Sequence, residues 1–308
     1  MSKIKASAIA AGVGLSSMIA VKAASAEEFP NLDLSLSLGW QHDSHLSVDA
    51  IDQSSSVDDS ALRTEASGRV NWFENEGRKL QTEYSYLQTT HTDYSEFDMT
   101  LHRVGATYGH EIDDTQVTAS YFYNAALLDG DDLLDIHSAK IGLGRLMWKK
   151  IYATTGYEYQ KHEFQQIGLE QRDADRHQFD FGALYVLGKK KTVSLNAVVA
   201  DHDAVSSELD YESAQVTGSL KWPVKVFGVE GSRLGLRYRY RVRDYLYDTA
   251  SIGEERYDER HTYRARLDVP FVENVTGRIQ FEHTASESNL PSADYDNDHV
   301  RLMLIWKN

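Results

Sequence analysis

The stretch LDLSLSLGWQ, Leu32 to Gln41, alternates apolar and polar residues without a break. Successive side chains of a strand point to opposite faces, so Leu32, Leu34, Leu36, Leu38 and Trp40 share one face. Asp33, Ser35, Ser37, Gly39 and Gln41 share the other. Such a strand meets an apolar medium on one side only. The terminal stretch VRLMLIWKN, Val300 to Asn308, sharpens the question of what that medium is. Its row Val300, Leu302, Leu304 and Trp306 has no later element to pack against, and the opposite row, Arg301, Met303, Ile305 and Lys307, is mixed.

The period of two recurs along the chain. Leu62, Ala66, Gly68, Val70 and Trp72 alternate with Arg63, Glu65, Ser67, Arg69 and Asn71, and Leu80, Tyr84 and Tyr86 follow after the turn Glu74–Arg78. Further strands centre near 98–109, 115–127, 134–147, 151–163, 176–187, 192–203, 211–222, 232–246, 258–270, 276–288 and 297–308. That gives about 14 strands of about 11–15 residues, where roughly 9–11 suffice to cross a bilayer at a tilt. Tight joins follow the even-numbered strands: Glu74–Arg78, Glu111–Asp114, Trp148–Lys150, Gly188–Lys191, Pro223–Gly231 and Pro270–Asn274. Longer polar segments follow odd-numbered ones: Ser47–Ser60, Phe164–Asp175, Tyr247–Tyr257 and Ser288–Asp296. Short turns at one end and longer loops at the other are the pattern of outer-membrane barrels.

Composition agrees. Lys3 and Lys5 precede the apolar stretch Ala6–Val21, and Ala24-Ser25-Ala26 offers a small-x-small cleavage site, so residues 1–26 read as a cleaved signal peptide and 27–308 as the barrel. No later stretch approaches the roughly 18 apolar residues of a spanning helix. The formal charge is −15, and loss of Lys3, Lys5 and Lys22 with the leader makes it more acidic still, which excludes nucleic acid as a partner. There is no cysteine, so an exported chain of this length relies on a large core or on a membrane.

The expected fold is all-β: a closed antiparallel transmembrane β-barrel. An open edge in hydrocarbon leaves N–H and C=O groups unsatisfied, so the last strand is expected to pair with the first. Trp40, Trp72, Trp148, Trp222 and Trp306 are read as one interfacial girdle at the short-turn level. Trp306 also resembles the terminal aromatic read during barrel assembly.

Parity then fixes the lumen. With Leu234, Leu236, Tyr238, Tyr240 and Val242 facing lipid, Arg237, Arg239, Arg241 and Arg243 face inward. By the same rule Arg264, Arg266, Arg278 and Arg301 face inward, as do Arg63 and Arg69. Closure gathers them in one sector, where inward acids are few, chiefly Asp268 and Glu282. One reading is an anion-selective stripe. The other is that these arginines pair with acids across the lumen, for which Glu83, Glu158 and Asp180 are available, and brace the barrel. Ser47–Ser60 is the best candidate for a segment that folds inside.

Ten histidines cluster toward the long-loop ends. His162, His202 and His299 fall on the inward parity, and His137, His177, His261 and His283 on the outward one, which suits an interfacial belt better than one metal sphere. No metal site or cofactor is expected. Acidic loop residues such as Asp49, Asp52, Asp58 and Asp59 read as a solvated surface able to meet lipopolysaccharide phosphates through divalent cations. Neither Gly-x-Ser-x-Gly nor His-Glu-x-x-His occurs, and no enzyme activity is expected.

The stretch Arg256-Tyr257-Asp258-Glu259-Arg260-His261, then Ser288-Asn289-Leu290-Pro291, then Tyr295-Asp296 and Val300, resembles the terminal hairpins of the surface lipoprotein assembly modifier barrel. That resemblance implies a 14-stranded barrel, a periplasmic tetratricopeptide domain before it, and a role in bringing lipoproteins to the cell surface. Here the strand pattern starts close behind the leader, so the helical domain is expected to be missing and a separate periplasmic partner would have to serve. Two functions are thus expected: a porin-like channel favouring small anions along the arginines, or a secretion and surface-assembly barrel. A third is a structural barrel with a closed lumen.

Overall fold

The computed structural model describes residues 30–188, 190–226 and 228–308; the expected leader lies outside them. Chain order is β1 (Asn31–Asp43), a small hairpin of β2 (Leu46–Val48) and β3 (Gln53–Ser55), then β4 (Asp59–Asn75), β5 (Arg78–His91), β6 (Met99–Ile112) and β7 (Thr115–Leu128). Next come β8 (Asp131–Met147), β9 (Ile151–Phe164), β10 (Ala174–Gly188), β11 (Lys191–Ala204) and β12 (Tyr211–Pro223). The last four are β13 (Arg233–Thr249), β14 (Glu254–Val272), β15 (Val275–Ser288) and β16 (Tyr295–Lys307). All except β2 and β3 form one closed antiparallel barrel of fourteen strands, each paired with its sequence neighbours, and β16 returns to pair with β1.

The seam is in register from Ser35 opposite Lys307 to Asp43 opposite His299. Asn308 fastens its inner end. Its side-chain oxygen accepts from the Leu34 N–H at 2.8 Å, and its amide donates to the Leu32 carbonyl at 2.9 Å. The two residues after Trp306 are therefore part of the closure.

Alternation decides the faces. Leu32, Leu34, Leu36, Leu38 and Trp40 are exposed on the outer wall, and so are Leu302, Leu304 and Trp306. The mixed row of the last strand points into the lumen, where Met303 and Ile305 are buried. Gly39 makes room for one of them, since an added Cβ would lie 2.6 Å from Met303 Cγ. On the outer face, tyrosine hydroxyls meet histidine Nδ1 atoms on the neighbouring strand in four places: Tyr84–His102 at 2.9 Å, Tyr121–His137 at 2.8 Å, Tyr157–His177 at 2.7 Å and Tyr238–His261 at 2.9 Å. These couples form a belt of amphipathic rings at a membrane boundary. Three of the four histidines expected on the outward face, His137, His177 and His261, take part together with His102, while His283 meets Asp298 at 2.8 Å instead.

Two expectations need correction. Trp72, Trp148, Trp222 and Trp306 lie at or beside the short-turn end, but Trp40 sits three residues from the opposite end of β1, stacked on His42 at 6.1 Å. The first strand runs away from the inner end, so a tryptophan late in it belongs to the outer rim. Secondly, Tyr247–Tyr257 is mostly strand. β13 and β14 resume pairing beyond an irregularity after Asp244, with Asp248 opposite Glu255 and Thr249 opposite Glu254, leaving only residues 250–253 as a loop. The outer loops are uneven, and the two-residue turn Asp129–Gly130 between β7 and β8 has both φ angles positive, as a tight hairpin requires. The longest outer connection, between β1 and β4, is the one that matters most for the lumen.

Candidate functional site

That connection folds inward as the β2–β3 hairpin. Its alternation gives it two faces. Leu46 and Val48, both buried, pack against Phe97, Leu128, Leu133 and Leu134, which belong to β7, β8 and the loop before β6. The opposite face and the turn reach the wall of β13 and β14. Asp49 is paired with Arg260 and lies 3.9 Å from Arg241, and it accepts from the Tyr295 hydroxyl at 2.9 Å. Asp52 accepts from Arg256 at 2.9 Å and from both terminal nitrogens of Arg172 at 3.0 Å, while Arg172 also donates to the Ala50 carbonyl at 3.2 Å. His45 stacks on Tyr295 at 4.5 Å. The β7–β8 and β13–β14 walls stand six positions apart in the ring of fourteen, close to a diameter. The hairpin therefore spans the outer mouth.

Its carboxylates are strongly held. Loss of water inside the mouth would by itself raise Asp49, but Arg260, Arg241 and Arg243 hold it well below the usual carboxylate range. Asp52 is lowered in the same way, burial being outweighed by Arg256 and Arg172. Arg256 itself is almost fully buried and also grips Asp258 through two bonds of 2.8 Å.

Below the hairpin the arginine sector lines one side of the lumen. On β13, Arg237, Arg239, Arg241 and Arg243 share the inward row, opposite Ser219, Thr217, Gln215 and Ser213 of β12. Arg237 stands directly across from Arg264 on β14, and Arg241 across from Arg260. Arg264 is paired with Glu282, while Asp268 bridges Arg278 at 2.7 Å and Arg266 at 3.3 Å. The Arg243 guanidinium lies over the Tyr211 ring at 5.0 Å, and Arg239 reaches Thr262 at 3.4 Å. Among the described residues, the Nε atoms of Arg237 and Arg301 are buried without a hydrogen-bond partner. Arg63 turns to Glu65 at 2.7 Å.

The expected cross-lumen bracing has other partners. Glu83 takes Arg69 and Arg103 from its two neighbouring strands, at 3.3 and 3.6 Å, and Asp180 and Glu158 take Lys140. The acids that serve the sector come from its own strands and from the hairpin. Parity reading with a strand over 258–270 leaves Arg256 in a loop and does not single out Arg260, although Arg260 lies on the inward row of that strand. Continuing the inward row of Arg264 and Arg266 backward reaches Arg260 and Arg256 directly. Arg172 carries no such signal, since it sits in the short turn Glu170–Arg172 between β9 and β10. Among the described residues no group of three histidine or acidic side chains has a metal-binding arrangement.

Comparison with known proteins places this geometry. Two similar solved structures are the loop L8 deletion mutant of OmpT, an outer membrane protein of Vibrio cholerae, and an anion-selective porin from Comamonas acidovorans. The first has a TM-score of 0.53 at 11% identity, covering 91% of this chain and 100% of that one. The second has a TM-score of 0.51 at 10% identity, covering 90% and 99%. At such identities the likeness shows the outer-membrane barrel fold alone. No curated protein matches the chain. The family model described as surface lipoprotein assembly modifier matches residues 43–307, nearly the whole barrel with its hairpin and arginine sector. This bacterial outer-membrane barrel belongs to the surface lipoprotein assembly modifier family.

Proposed function

We propose that the barrel is a gated conduit for surface assembly: shut at rest by the β2–β3 hairpin, it opens to let an exported protein segment reach the cell surface. The observation that carries this reading is the hairpin itself, anchored on both sides of the mouth by an apolar cluster and by Asp49 and Asp52. A bar held at both ends across the entrance suits a conduit that keeps small solutes out between cargoes. Membership of a family named for surface lipoprotein assembly supports the same reading. On it, the cargo is a lipoprotein delivered by a periplasmic partner, and the outer Tyr–His couples face the headgroup layer of lipopolysaccharide.

A small-anion channel is the second reading, favoured by the inward arginines from Arg237 to Arg301. One pair of experiments separates them. Purified protein in planar bilayers is expected to conduct little, and deletion of residues 44–58 to open it with a preference for anions. Protease treatment of intact cells with and without the gene is expected to show lipoproteins lost from the exposed set. Conductance at rest with an unchanged exposed set would leave the channel and remove the assembly role. No conductance after deletion would remove both.

A further inference from the structure

We infer that the arginine sector is a track for an acidic, extended peptide segment entering from the periplasmic end, and that the hairpin carboxylates occupy its outer rungs until such a segment arrives. This rests on the conduit reading and deepens it by naming the chemistry of the cargo. The inward row of β13 holds Arg233, Arg237, Arg239, Arg241 and Arg243, interrupted only at Gly235. Ten residues of strand separate its ends, about 33 Å along the strand at the usual rise, which at the tilt of barrel strands spans about the 25 Å height of the apolar band. Alternate residues of a strand are about 6.6–6.8 Å apart, and alternate residues of an extended peptide have the same spacing. Carboxylates at every second position of a peptide therefore keep step with the guanidiniums.

The rungs are not equally occupied. At the outer end, Arg241 and Arg260 face Asp49, and Arg256 faces Asp52. Among the described residues Arg237 and Arg239 in the middle of the row have no carboxylate within 4 Å, nor does Arg233, which stands across from Asp268, nor Arg243 at the outer end, which lies over the Tyr211 ring instead. Asp268 serves Arg266 and Arg278, and Glu282 serves Arg264. Lys221 and Lys307 add two more cations around Asp268 at the periplasmic mouth. Desolvated cations without partners are unfavourable unless water or an anion comes to them. The outer occupants show what chemistry fits: aspartates carried on a short extended piece of polypeptide. A segment advancing from the inner rungs meets the hairpin in competition for the same guanidiniums, so arrival of cargo and release of the bar become one event.

The test uses the full chain in planar bilayers, in wild-type form and with residues 44–58 deleted. The probe is a synthetic twelve-residue peptide of alternating Asp and Ser, added from the periplasmic side, with a Lys-Ser peptide and polyphosphate of equal charge as controls. The Asp-Ser peptide is expected to block the opened barrel at least tenfold more tightly than either control. Arg237→Gln with Arg264→Gln is expected to weaken that block at least tenfold, while Arg237→Lys with Arg264→Lys retains most of it. Heat-modifiable migration on gels confirms that each variant is folded. An opened barrel that the peptide does not block, or blocks equally in the Gln variant, overturns the track and leaves the conduit standing. Stronger block by polyphosphate than by peptide also overturns it, in favour of a phosphate polymer. A barrel that stays shut after the deletion overturns the conduit reading itself.

Discussion

Replacing Asp52 with asparagine tests the latch where its geometry is best defined. Asp52 accepts three charge-assisted bonds, two from Arg172 at 3.0 Å and one from Arg256 at 2.9 Å. The substitution keeps the shape and one acceptor oxygen but removes the charge. Arg256 retains its paired bonds to Asp258, so Arg172 is the guanidinium left without a carboxylate. With bonds to charged groups contributing about 1.5–3 kcal/mol each, and part of that retained by the amide, the hairpin loses about 2–3 kcal/mol of its hold. The lifted state then rises roughly 30- to 140-fold. It does not become dominant, because burial of Leu46 and Val48 on the other side contributes about 1.5–3 kcal/mol each and is untouched. The chain has no cysteine, so Val48→Cys gives a single reporter, buried when the hairpin is down. Maleimide labelling of that thiol should accelerate by the same factor in the Asp52→Asn background, alongside more frequent channel openings. An unchanged labelling rate in a correctly folded variant would refute the latch.

Acid should act late. Asp49 and Asp52 have carboxyls lowered in the folded state, so their contribution is complete above the ordinary carboxylate value of about 3.9 and is lost as pH falls through the lowered values. Labelling of the Val48→Cys reporter is therefore expected to stay flat between about pH 5 and 8 and to rise only in strong acid. A rise near neutrality would assign the latch to some other group. Leu38→Arg, at an exposed position on β1 two residues inside the rim tryptophan Trp40, should destabilise the barrel by about 1–2 kcal/mol in a bilayer, read as a lower urea midpoint in lipid vesicles. Asn308→Ala removes both side-chain bonds that fasten the seam and should cost about 1 kcal/mol by the same measurement. No change there would mean that the ladder from Ser35 to Asp43 closes the seam unaided.

The barrel was legible because hydrocarbon imposes a rule on every residue of a strand. Lipid rejects charge, so parity alone puts Leu36 outside and Arg239 inside, and backbone satisfaction forces β16 onto β1. Loop structure obeys no such rule. The extension of β13 through Thr249 depends on cross-strand pairing past an irregularity, and the sequence around Tyr247 carries no alternation that announces it. The inward fold of Ser47–Ser60 was visible as a candidate only through its length. Its docking depends on Arg172 and Arg256, more than a hundred residues away in sequence, which meet it only once the ring has closed. The placing of Trp40 failed for a simpler reason: the direction of a strand, as well as its composition, sets which rim its last aromatic reaches.

A beam wedged between nearly opposite points of a hollow tube does more than obstruct it. The hairpin ties the β7–β8 side to the β13–β14 side, so the rim cannot flatten toward an ellipse while the beam is in place. Its release both clears the opening and slackens the hoop, letting the outline adapt to whatever bulk comes through. Shape fluctuation of the rim should accordingly be a property of the active state alone.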